Sequence, residues 1–241
     1  MRVSIIIPTY NEIRWIGETL EATRRLEGDF EILVVDGLSD DGTPEAVRQA
    51  GIGCYPAPRG RAAQMNEGAR RASGATLLFL HADTRLPPDA HHLIRTALGD
   101  PRTGGGCFQL AYDDDHPVLR FSAFLTRSTN RFVHYGDSAY FVRSRLFDEL
   151  GGYQPWPILE DLDLWSRLRR RTRLVVVEAA VTTSARRFAR RGAVRQQLAN
   201  ICIVGLFLLG VHPKRLGRLY RPSKPQRRMD RVELHGPSES R

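Results

Sequence analysis

Three apolar runs early in the sequence end in clusters of carboxylates, amides and glycines. Val3 to Ile7 runs into Pro8-Thr9-Tyr10-Asn11-Glu12, Glu31 to Val35 into Asp36-Gly37-Leu38-Ser39-Asp40-Asp41-Gly42, and Leu77 to Leu80 into His81-Ala82-Asp83. A fourth cluster, Glu160-Asp161-Leu162-Asp163, follows the aromatic stretch Tyr153-Gln154-Pro155-Trp156-Pro157. One carboxylate of such a pair can take the proton of a hydroxyl, which is general-base chemistry. Each cluster also has a plainer reading. Asp36 and Asp83 suit Asx turns after strands, and acidic residues opening a helix complement its dipole. Trp156 and Tyr153 serve equally as sugar-stacking platforms or as core aromatics.

Positioning these groups takes a sheet. Val3 to Ile7 is β-branched and reads as a strand that Pro8 stops. Ile13 to Leu26 has helical spacing, Glu31 to Val35 is a second strand, and Pro44 suits a first helical turn with Thr43 as N-cap. Ile52 to Ala57 is a weaker strand, Gly60 to Ser73 a helix with Gly74 past its end, and Thr76 to His81 a strand. The unbroken apolar run of that strand suits burial on both faces. Alternating strands and helices imply right-handed crossovers and a mostly parallel sheet, so all three polar clusters fall on one edge. That edge is where an open α/β sheet binds a nucleotide. Neither a Gly-x-Gly-x-x-Gly nor a Walker A sequence follows the first strand, which argues against dinucleotide and P-loop chemistry.

Further on, a helix over Ala90 to Leu98, a strand over Cys107 to Tyr112 after Gly104-Gly105-Gly106, and an amphipathic helix over Val118 to Val133 are expected. A strand over Ala139 to Val142, a helix opened by Ile158 to Leu168 and a last strand over Leu174 to Ala180 follow. Asp113-Asp114-Asp115-His116, ahead of Pro117, reads as a solvated turn.

The ordered set Ile5-Ile6-Ile7-Pro8-Thr9-Tyr10-Asn11-Glu12, Val34-Val35-Asp36-Gly37-Leu38-Ser39-Asp40-Asp41-Gly42-Thr43 and Leu80-His81-Ala82-Asp83 resembles family 2 glycosyltransferases of the GT-A fold over residues 1–190. The resemblance implies an α/β, Rossmann-like, mostly parallel sheet flanked by helices, with a basic C-terminal helical extension over 191–221. It implies that Pro8, Tyr10 and Glu12 line the base and ribose, that Asp36 pairs with the base edge, and that Asp83 carries Mg²⁺ or Mn²⁺. His81 stands where relatives have a second metal-binding Asp. One carboxylate still suffices for such an ion when phosphate oxygens and water complete its shell. By the same resemblance Asp161 is the general base and Glu160 orients it or binds acceptor. Gly136 and Asp137 line the acceptor pocket, and Arg186 and Arg187 are candidates to fold over the diphosphate. Arg61 is either a diphosphate ligand, for which its guanidinium is suited, or a solvated side chain. The stretches 60–66 and 135–141 resemble small stand-alone bacterial members found beside arsenosugar and radical-SAM genes. The implied reaction is inverting transfer from a nucleotide-diphospho-sugar, UDP-linked ahead of GDP-linked, to an unidentified hydroxyl. A sugar-1-phosphate nucleotidyltransferase would want a Gly-rich phosphate loop where Thr9-Tyr10-Asn11-Glu12 stands.

The net charge of +9 is uneven. From Thr182 onward fourteen Lys and Arg face three Asp and Glu, so the C-terminal quarter is strongly basic and the rest near neutral. A basic segment needs anionic partners. A pure nucleic-acid or membrane-binding module would not need the ordered strand ends, and no nucleic acid is expected as partner. Residues 198–211 are uncharged, too short to span a bilayer, and flanked by Arg and Lys. They suit a peripheral membrane contact, a homodimer contact or packing on the domain. Residues 222–241 lack apolar periodicity and are expected to be disordered. Three scattered Cys and an opening with no signal-peptide pattern fit a reduced, cytoplasmic setting, peripheral on the inner membrane face in the first of those cases.

Overall fold

A run with no polar alternation must be covered on both sides, and Leu77, Leu78 and Leu80 are 0% exposed. The computed structural model describes residues 1–127 and 136–219. Elements β1 (Val3–Thr9), α1 (Ile13–Arg24), β2 (Phe30–Asp36), α2 (Thr43–Gln49), β3 (Gly53–Pro56), α3 (Arg61–Arg71) and β4 (Thr76–Phe79) alternate as expected. Then come β5 (Thr84–Arg85), α4 (Ala90–Ala97), β6 (Thr103–Tyr112), α5 (Pro117–Leu125), a 3₁₀ turn (Gly136–Ser138), β7 (Phe141–Arg143) and α6 (Ser144–Glu149). The described chain ends with α7 (Glu160–Arg169), β8 (Arg173–Thr183), α8 (Arg186–Arg191), α9 (Ala193–Leu208) and α10 (Pro213–Leu219). The distal part of the expected helix 118–133 and the expected disordered tail 222–241 lie outside the described residues.

The strands form one sheet in the order β3-β2-β1-β4-β7-β6-β8-β5. The β1–β2, β1–β4, β2–β3 and β6–β8 ladders are parallel, and β4–β7, β6–β7 and β5–β8 are antiparallel. One apolar cluster lies on each face: Ile5, Ile7, Val34, Leu78 and Phe108 on one, Ile6, Val35, Leu77, Phe79 and Trp165 on the other.

Three local expectations change. Pro8 does not stop β1, because the ladder to β4 ends at Ile6 while pairing with β2 continues to Thr9. The side on which proline lacks a donor has no neighbour there, so nothing is lost. The glycines 104–106 belong to β6 rather than lead into it. A Cβ on Gly105 would meet the Phe141 carbonyl oxygen at 2.6 Å, and one on Gly106 the Val175 oxygen at 2.4 Å, so the crowded ladder itself requires them. Thr43 is the first residue of α2 and Gly42, at φ 91°, precedes it. The Thr43 hydroxyl instead accepts from the Glu12 amide at 2.9 Å, tying the second polar loop to the first.

Candidate functional site

The polar strand ends, the start of α7 and the inner faces of α5 and α9 wall one cavity of about 460 Å³. That volume falls within the range of small-molecule sites. Its polar groups form two clusters.

The first cluster is made by a two-residue ladder. Thr84 and Arg85 pair with Thr183 and Thr182, and the Ser184 amide donates to the Asp83 carbonyl at 3.2 Å. This short strand brings residue 83 beside the start of α8. Arg186 then joins two carboxylates: its Nε is 2.9 Å from Asp83 Oδ2, and its Nη2 donates to Glu12 Oε1 at 2.7 Å. Burial disfavours its charge, but Glu12 and Asp83 more than offset this and raise its pKa. Pro8 and Tyr10 continue this wall, and the Arg59 guanidinium lies 3.9 Å from the Tyr10 ring centroid.

The second cluster is organised by α3. Gln64 donates to the Thr9 carbonyl at 2.6 Å and the Val35 carbonyl at 2.9 Å. Asn66 exchanges two 2.8 Å hydrogen bonds with the Tyr153 backbone. These amides fix the helix to two strand ends and to the loop before α7. Arg61 is thereby held with its Nε 3.3 Å from Glu160 Oε1 and its Nη2 3.4 Å from Asp161 Oδ2. The same Nη2 lies 2.6 Å from His81 Nε2. A guanidinium only donates, so Nε2 accepts and the ring proton is on Nδ1, which donates to Asp137 Oδ1 at 3.0 Å. Arg61 stays charged despite its buried Nε because Glu160 and Asp161 face it.

Glu160 and Asp161 are only 3% and 5% exposed. Burial, and secondarily the Asp161 charge, push the Glu160 carboxyl up to about 7, against the pull of Arg61. The residue before them, Leu159, adopts the left-handed conformation at φ 63°, which a non-glycine residue accepts at a cost. Trp165, buried against Tyr140, and Arg167, bonded to the Leu150 and Gly152 carbonyls, hold α7 in place behind that strained turn.

Of the residues singled out from sequence, Pro8, Tyr10, Glu12, Arg61, Asp83, Asp137, Glu160, Asp161 and Arg186 share the cavity wall. Arg61 reaches the Glu160 and Asp161 carboxylates rather than Asp83. Asp36 is off the wall, its oxygens taken by the Thr9 hydroxyl, the Ser39 amide and the Ser39 hydroxyl at 2.9, 2.7 and 2.6 Å. Trp156 is off it too, packed edge-on against Phe207 at 5.9 Å and close to His212. Gly136 opens the turn that carries Asp137, and the side chain of Arg187 lies outside the described residues. Asp113 is a turn residue as expected, and its carboxylate accepts from the Ala185 amide. The α9 side chains Gln197 and Asn200 also line the cavity. Their signal was Gln197 just before, and Asn200 within, the apolar run 198–211, three residues apart.

A divalent ion would find few ligands from the protein. Among the described residues no group of three His, Cys, Asp or Glu side chains could hold one, and His81 Nε2 is already used. Asp83 alone, with diphosphate oxygens and water, is a donor set that fits Mg²⁺ or Mn²⁺.

The sequence profile of glycosyl transferase family 2 matches residues 4–148, more than half of the chain. The chain belongs to glycosyl transferase family 2. The matched segment carries the strand-end loops and stops short of Glu160. This family 2 enzyme is 38% identical over 170 residues to glycosyltransferase AglE of Haloferax volcanii, covering 63% of its own length and 55% of AglE. It thus spans about half the length of that relative. The GT-A fold is shared with mannosyltransferase PcManGT from Pyrobaculum calidifontis, solved with GDP-Man and Mn²⁺. The TM-score is 0.67 and the identity 21%, over 90% of this chain and 68% of that one. The S. aureus TarS fragment 1–349, solved with UDP-GlcNAc, gives a TM-score of 0.65 and 18% identity over 76% and 58%.

Proposed function

We propose that this glycosyltransferase moves a sugar from a nucleotide-diphospho-sugar, UDP-linked by preference, to a hydroxyl acceptor with inversion and with Mg²⁺ or Mn²⁺. The observation that carries this reading is one cavity whose wall holds both a cation-paired Asp83 and the buried Glu160-Asp161 pair. Pro8, Tyr10 and Glu12 hold the nucleoside, with Asp36 behind them keeping the first two loops together through Thr9 and Ser39. Asp83 and Arg186 face the diphosphate, and Arg187 is assigned to the same clamp. When bound, the metal offsets charge on the leaving diphosphate. Asp161 takes the acceptor proton as the hydroxyl oxygen bonds to the anomeric carbon and the nucleoside diphosphate departs with its electron pair. Glu160, its carboxyl pushed up to about 7 by burial, orients Asp161 or binds the acceptor. Arg61 balances the pair, and Asp137 with the Gly136 turn borders the acceptor.

Among the described residues no helix is long and apolar enough to cross a membrane. A cytoplasmic enzyme, peripheral on the membrane through 198–211 and its basic flanks, is the setting that the charge pattern supports.

A screen of sugar nucleotides with Mg²⁺ or Mn²⁺, scored for slow donor hydrolysis and for transfer to added alcohols, tests the reaction. Release of nucleoside diphosphate from one donor is expected. Inertness toward every sugar nucleotide, with metal and acceptor alcohols present, would refute it.

A further inference from the structure

Surface helices normally turn apolar side chains inward and polar ones to water. α5 and α9 keep that rule at Leu119 and Val204, which are buried, and break it elsewhere. On α5, Ser122 lines the cavity, with Thr126 just past the helix end, while Phe121 and Phe124 are 63% and 59% exposed. On α9, Gln197 and Asn200 line the cavity while Leu198 and Ile201 are 59% and 57% exposed. The two helices pack against each other, so their outer sides join into one apolar face with the cavity directly behind it. Large apolar side chains exposed together on neighbouring helices mark an interaction site.

The charged residues on these helices are all cations. Arg120, Arg127, Arg195, Lys214 and Arg215 are exposed, and α5, α9 and α10 contain no Asp or Glu. A second copy docked face to face would bring these cations together, because a two-fold interface pairs the same patch with itself. An anionic bilayer satisfies both features at once: the apolar face enters the headgroup boundary and the cations meet lipid phosphates.

We propose that the outer sides of α5 and α9 seat the enzyme on an anionic leaflet, and that the acceptor is a hydroxyl-bearing amphiphile drawn from that leaflet into the cavity. The acceptor part rests on the transferase reading above. Ser122, Gln197 and Asn200 meet a polar head, and Tyr112, Phe188 and Ile203 supply an apolar wall for the chain behind it. The amphiphile's hydroxyl oxygen bonds to the anomeric carbon, the bond from that carbon to the diphosphate breaks with its electrons going to the nucleoside diphosphate, and the proton passes to Asp161.

The test uses the full chain and vesicles of phosphatidylcholine with or without phosphatidylglycerol. Sedimentation with the anionic vesicles, at least about tenfold stronger than with neutral ones, is expected. The triple variant Phe121→Ser, Leu198→Ser, Ile201→Ser should lose about tenfold or more of that binding while keeping its melting temperature and donor hydrolysis. The exposed reversals Arg195→Glu and Arg215→Glu give a second route to the same loss. Absence of vesicle binding by the wild type overturns the seat, and so does a wild-type dimer that the triple variant turns into a monomer. With native-membrane lipid extract and a radiolabelled donor, label should enter the organic phase; label confined to aqueous products overturns the amphiphile. Vesicle binding without hydrolysis of any donor upholds the seat and counts instead against the transferase reading.

Discussion

The Arg186 guanidinium spans Glu12 and Asp83, joining the loop after β1 to the turn after β4 from a position 103 residues further along the chain than Asp83. A divalent ion on Asp83 must displace or share with this cation. Removing it by Arg186→Ala should therefore strengthen Mn²⁺ binding in the absence of donor by about tenfold, or roughly 1.4 kcal/mol. The same variant should bind nucleoside diphosphate more weakly, since it loses a phosphate ligand. Electron paramagnetic resonance titration of Mn²⁺ reads the first effect and calorimetry with nucleoside diphosphate the second. Unchanged or weaker Mn²⁺ binding would show that the ion does not compete with Arg186.

Asp83 and Asp161 pair with different cations on the cavity wall and should fail differently. Asp161→Asn should lower kcat by about 10²–10⁴ with nucleotide affinity intact, the usual loss for a general base. Asp83→Ala should weaken metal-assisted nucleotide binding. Steady-state kinetics beside equilibrium binding separate the two, and normal turnover by Asp161→Asn would remove it as the base.

Glu160 makes stability depend on pH. Its carboxyl rises from an ordinary 4.5 to about 7 because burial and Asp161 disfavour its charge. Between those values the folded state keeps a proton that the unfolded chain has released, so stability falls as pH rises from about 4.5 to about 7 and is level above. The lost stability is on the order of 3 kcal/mol at most, from 1.36 kcal/mol per pH unit. Glu160→Gln removes this titration. Melting curves should show the wild type losing several degrees relative to that variant between pH 5 and pH 8. Parallel curves would mean that Glu160 is ionised throughout.

Trp156 packs on Phe207 and near His212, so it fastens the C-terminal helices to the loop before α7. Trp156→Ala should cost about 2 kcal/mol, less than a fully buried tryptophan, and should speed proteolysis near α9. Donor KM should not change. A selective rise in acceptor KM without loss of stability would return Trp156 to the sugar-stacking role.

How far this arrangement can be read in advance depends on the range of the interaction. The strand at Leu77 to Leu80 is legible because continuous apolarity is a local signal of two-sided burial. The pairing of Asp83 with Arg186 is not, since it depends on a ladder of only two residues, Thr84 and Arg85 against Thr183 and Thr182. Arg61 is legible as a cation near the site but not as the partner of Glu160 and Asp161, because its direction is set by Gln64 and Asn66 bonding to three other segments. Pro8 and the glycines of β6 mislead for a related reason. Their usual meaning as strand breakers assumes a neighbour on each side with ordinary spacing, and at these points one neighbour is missing or unusually close.

Among the described residues, four other than glycine adopt positive φ: Asn11, Leu38, Ala139 and Leu159. Each lies within three residues of Glu12, Asp36, Asp137 or Glu160, and each costs of order 1 kcal/mol or more relative to a relaxed backbone. A search for thermostable variants made without an activity screen would therefore converge on these turns. Leu159→Gly should raise the melting temperature and slow transfer together, because the same relaxation that favours the fold frees the carboxylate pair it holds. The turns beside these carboxylates are where heat tolerance and turnover compete for the same residues.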